Sequence, residues 1–291
     1  MESRNPIFAR AEGFNGRVST NAYGNTTYPA NGPQDTAYTD PSQWGIGAPG
    51  QVTQGDLGRM TIDSVVQKTG ITLGVVVLAA AATWFLTGEI DTQAQLNTLY
   101  GISMFGALGG FALAMANSFK KVISPPLVLA YALVQGVFVG AFSKALETAF
   151  VDPSNPQQGG LVIGAVLGTM AAVAGTLAAY KFFNIRVGSR FYKWVVAAGM
   201  GFLAVTFLDM ILGFFGNAIG FNGFGALGLL MSVIGLGLGV LFLILDFDQV
   251  ERGIAAGLPE SESWRAAFGL TATIVFIYIE ILRILAILRG N

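Results

Sequence analysis

Residues 224–245 read FGALGLLMSVIGLGLGVLFLIL, an apolar run with no charged side chain, and charge returns just beyond it at Asp246 and Asp248. A helix needs ~20 apolar residues to cross ~30 Å of hydrocarbon, so this run is long enough to span a bilayer. It does not alternate apolar with polar residues, as a barrel strand would. The spacing Gly235-Leu236-Gly237-Leu238-Gly239 superficially suggests a nucleotide loop, but no strand precedes it and it lies within the apolar run.

Similar stretches lie at about 70–88, 98–117, 125–146, 159–181, 194–216 and 266–288, which with 224–247 make seven. The fold class is therefore all-α, a polytopic membrane protein whose seven-transmembrane-helix bundle occupies residues 68–291. Glycine pairs four apart, Gly106/Gly110, Gly136/Gly140, Gly164/Gly168 and Gly235/Gly239, allow helix backbones to approach closely in lipid. Composition agrees. Hydrophobic residues make up 53% and charged residues 11%, against roughly 25% charge in a soluble domain. The natural partner of such a surface is the lipid bilayer. A net charge of −1 without a basic cluster argues against nucleic acid.

The chain holds no cysteine and no histidine, which removes disulfides, thiolate nucleophiles, imidazole bases, and zinc or haem ligation by those side chains. No cofactor is expected. Any response to pH near neutrality falls to buried carboxylates. Residues 1–67 form a separate segment. Up to about residue 55 it is rich in Asn, Gly, Thr, Pro and Tyr without apolar periodicity, the pattern of a disordered tail. Residues 56–68 carry Met60, Ile62, Val65 and Val66 among polar neighbours, which predicts a short helix on the membrane surface.

Basic residues set the orientation. Arg59 and Lys68 precede the first span. Lys120 and Lys121 follow the second, Lys181, Arg186, Arg190 and Lys193 the fourth, and Arg252 and Arg265 the sixth. The alternate connections hold Glu89, Asp91, Glu147 and Asp152, with Lys144 alone against the trend. This predicts a cytoplasmic N-terminus, and the absence of cysteine with a polar tail suggests a bacterial plasma membrane.

Ionisable side chains inside a span cost ~2.5–3.5 kcal/mol on insertion scales and mark functional sites by default. They are Asp209 in the fifth span, Asp246 and Asp248 at the inner end of the sixth, and Glu280 and Arg283 in the seventh. Asp246 and Asp248 are two apart and cannot share a helix face. Glu280 lies deep, about 21 Å beyond Ala266 along the helix. Arg283, three residues on, is placed to form an ion pair with it. Asp209, a similar distance past Trp194, is a second carboxylate for a proton or cation pathway, or a lone acid bonded to a neighbouring helix. Oxygen-only sites suit protons or hard cations such as calcium, and two adjacent carboxylates would share a proton. Such a pair is a gate: protonated, it ties two segments together; ionised, it separates them and exposes cation ligands.

Three segments resemble the Bax inhibitor-1 family, also called the transmembrane Bax-inhibitor-motif family. Leu245-Asp246-Phe247-Asp248-Gln249-Val250 is similar to the family's aspartate with a short polar stretch. Tyr278-Ile279-Glu280-Ile281 resembles its Tyr-Leu-Asp-Ile, with Glu for Asp. Ser124-Pro125-Pro126-Leu127, followed by Tyr131 and Gln135-Gly136, resembles its third-helix pattern. The resemblance covers roughly residues 60–291. It implies a pH-sensitive calcium leak channel in which Asp246 and Glu280 are the pH-sensing pair and the ligands calcium meets. The alternative it implies is a non-conducting regulator that binds another membrane protein, such as a protease or stress factor. No arrangement around Asp209 and Glu280 resembles an intramembrane protease, so an enzyme is not expected.

Overall fold

The computed structural model describes residues 58–151, 160–183 and 187–290. Among the described residues seven helices follow one another: α1 Ile62–Leu86, α2 Gln93–Phe119, α3 Pro125–Phe150, α4 Leu161–Phe182, α5 Ser189–Phe214, α6 Ala226–Ala255 and α7 Glu262–Gly290. All seven are long and apolar enough to cross a membrane. The chain is an all-α, multi-pass membrane protein.

Local sequence explains where the helices begin. Thr61 and Ser64 form a capping box at α1, and Thr92 and Gln95 form one at α2, each satisfying backbone N–H groups that the first turn leaves free. Pro125 and Pro126 occupy the first turn of α3, where a missing N–H costs nothing.

α7 is the central helix. Its span is 56% buried, against 11% for α1, and it packs on α1, α3, α4 and α6. By contrast, among the described residues α2 packs only on α3, and α5 only on α6. The glycine pairs lie where helices meet. A Cβ at Gly136 would stand 2.5 Å from the Val76 carbonyl oxygen, and one at Gly140 would stand 2.8 Å from the Ala80 Cα, so only glycine lets α3 lie against α1. Hydroxyl pairs join α1 to α7, Ser64 with Ser263 at 2.7 Å and Thr72 with Thr271 at 2.7 Å. In the absence of water such bonds help hold transmembrane helices together.

Two expectations are corrected at the N-terminal side. Residues 62–68 are not a surface helix but the opening turns of α1. Two of its polar residues, Ser64 and Lys68, point at the α6–α7 turn, where Lys68 donates to Glu260 at 2.8 Å. Order also begins before residue 67. The Met60 N–H donates to the Leu258 carbonyl at 2.7 Å, and Arg59 forms an isolated antiparallel bridge with Pro259. The tail expectation for residues 1–57 lies outside the described residues. Helix ends move as well: α6 runs to Ala255 rather than 247, so Asp246 lies inside the helix, about 13 Å short of its end at 1.5 Å per residue.

Lys144, the exception to the charge pattern, is part of the architecture. Buried in α3, it donates from Nζ to the Trp84 carbonyl at 2.7 Å, to Thr87 Oγ1 at 2.9 Å and to the Gly88 carbonyl. A cation here serves carbonyls at and just beyond the end of α1 that no helical N–H reaches.

Candidate functional site

Two hollows lie along α7. The smaller, of about 140 Å³, opens beside the α6–α7 turn and is lined by Met60, Asp246, Gln249, Glu262, Arg265 and Gly269 among others. The larger, of about 550 Å³, lies between α2, α3, α5, α6 and α7. Phe111, Phe138, Phe202, Phe242 and Phe276 line much of it, while Gln135, Thr206, Asn222, Thr273, Glu280 and Arg283 bring polar groups to its wall. Residues 273, 276, 280 and 283 recur at helical spacing, so one face of α7 carries a hydroxyl, a carboxylate and a guanidinium in sequence.

A hydrogen bond links the walls of the two hollows at Asp246. Asp246 lines the smaller one and accepts a hydrogen bond of 2.6 Å from Thr273 Oγ1, and Thr273 lines the larger. Asp248, two residues on, turns away as the spacing requires and pairs with Arg252 at 2.7 Å.

Glu280 is 3% exposed and reaches α6 at Gly235, where an added Cβ would stand 2.8 Å from the Glu280 carboxyl carbon. That glycine is therefore the space the carboxylate occupies. Arg283 pairs with Glu280 at 3.3 Å, as the spacing of three predicted. Its other amino group donates to the Phe221 carbonyl at 3.1 Å.

The carboxylates are not in mutual contact. Thr273, which holds Asp246, is seven residues before Glu280, about 10 Å along the helix. Asp209 is not paired with Glu280. It lies near the end of α5, and its carboxylate accepts N–H bonds from Ile219 at 2.7 Å, Gly220 at 3.0 Å and Asn222 at 2.7 Å. Thr273 and Asn222 were not singled out from the sequence. Thr273 was legible, being a hydroxyl two turns before Glu280 on one face, whereas Asn222 belongs to a connection with no pattern.

The chain matches no curated protein. The family model described as Bax inhibitor 1 like matches residues 5–290, and the chain belongs to that family.

Proposed function

We propose that this protein is a pH-sensitive cation leak pathway, with calcium as the ion carried, gated by protonation of buried carboxylates and not by an enzymatic step. The observation that carries the reading is the bond between Asp246, which lines the smaller hollow, and Thr273, which lines the larger. A carboxylate there meets any cation moving between them. Glu280, farther along the same face, is the second ligand, and Arg283 holds it in place.

Among the described residues no three acidic side chains converge on one point. Calcium held tightly takes six to eight oxygens, whereas conduction needs sites weak enough to leave. Single carboxylates, Asp246 on α6 and Glu280 on α7, with the Thr273 that holds the first about 10 Å along α7 from the second, suit passage over storage. Protonation removes the charge that attracts the ion, so flux rises with pH as the carboxylates ionise. The basic residues near the helix ends favour a cytoplasmic N-terminus, and the reading places the protein in a bacterial plasma membrane.

The test is calcium uptake into liposomes holding the purified protein, from pH 6 to 8, with Asp246→Asn and Glu280→Gln beside the wild type. Wild-type flux should increase toward pH 8 and the variants should lose that dependence. No flux above empty liposomes at any pH would overturn the reading and favour the non-conducting regulator of another membrane protein.

A further inference from the structure

The α5–α6 connection, residues 215–225, borders the larger hollow through Asn222. The Asn222 side chain donates to the Thr206 carbonyl at 2.8 Å. Phe224 packs on Phe150 of α3, with ring centroids 5.0 Å apart. Two side chains on the bundle grip the segment between them. Asp209 takes the N–H groups of Ile219, Gly220 and Asn222, and Arg283 takes the carbonyl of Phe221. The same Arg283 holds Glu280.

Asp209 thus does more than satisfy one loop. It is 2% exposed, and a buried carboxylate is retained only where its acceptors are used. Three converging backbone N–H groups form a nest that binds the anion, and the charge makes each bond stronger than a neutral one. The carboxylate fixes residues 219–222, and residue 221 in turn supplies the carbonyl that orients Arg283 toward Glu280. Gly216 and Gly220 have φ of +77° and +100°, conformations that L side chains adopt only with strain. The folded connection therefore depends on both the nest and these glycines.

We propose that residues 215–225 form a lid over the larger hollow, and that Asp209 is the positioning residue that clamps it shut and, through it, sets the Glu280–Arg283 pair. The proposal deepens the cation-pathway reading, since an opened lid would expose Glu280 to water at that end.

The chain has no cysteine, so Thr206→Cys places a single thiol on the wall of the larger hollow, at the residue whose carbonyl Asn222 bonds. Labelling of that thiol by a membrane-impermeant maleimide, in liposomes, reports lid opening whether or not ions flow. With Asp209→Asn added, labelling should accelerate at least about tenfold, the scale of one lost charge-assisted bond. Gly220→Ala is the second background. Its Cβ would meet nothing within 4 Å, so it strains the closed lid without a clash, and it too should accelerate labelling. A wild-type rate in Asp209→Asn overturns the proposal; if that variant does not fold, a wild-type rate in Gly220→Ala overturns it instead. Calcium flux in the same liposomes separates the two claims, because faster labelling without flux keeps the lid and removes the channel.

Discussion

Replacing Glu280 with leucine should destabilise the protein more than replacing Glu280 and Arg283 together. Both side chains are buried, at 3% and 7% exposure. Removing the carboxylate leaves a guanidinium that cannot shed its charge, and breaking a buried pair by deleting one partner costs about 3–5 kcal/mol. The double replacement Glu280→Leu/Arg283→Leu leaves no buried charge. Its main loss is the bond from Arg283 to the Phe221 carbonyl, and a hydrogen bond to a charged group contributes about 1.5–3 kcal/mol. The double variant should therefore be more stable than Glu280→Leu by about 1–2 kcal/mol, a failure of additivity that marks the two side chains as coupled. Reversible unfolding in mixed micelles with increasing SDS, followed by circular dichroism on all four corners of the cycle, measures this. Equal costs that simply add would refute the ion pair as a coupled unit.

Two further substitutions test the packing. Gly140→Val drives a side chain into the Ala80 backbone, and overpacking should cost about 1–3 kcal/mol by the same unfolding assay; a neutral result would mean that α1 and α3 do not meet there. Lys144→Met removes the donor shared by Trp84, Thr87 and Gly88, and losing a charged donor to buried carbonyls should cost about 1.5–3 kcal/mol, with Lys144→Arg less harmful than Lys144→Met.

Burial explains why some of the site was legible in the chain and some was not. The Glu280–Arg283 pair follows from a spacing of three within one apolar run, because a helix fixes which of its own residues are neighbours. The opposed directions of Asp246 and Asp248 follow for the same reason. The partner of Asp209 could not be read that way. It lies in the connection after α5, whose course depends on Gly216 and Gly220 and on what Arg283 offers from another helix. Lys144 was similarly opaque, because the carbonyls it serves end a helix about sixty residues earlier in the chain.

The sequence by itself determined the class of the protein. Seven apolar runs near 20 residues admit only helices across lipid, since each helix satisfies its own backbone bonds. It also placed buried charge in the last three helices. The tertiary structure alone decided where those charges lead: Asp246 to Thr273 between two hollows, Glu280 into the space left by Gly235, and Asp209 to the backbone of the next connection. These are contacts between separate segments, and the order of residues along one helix does not specify which face of another it will meet.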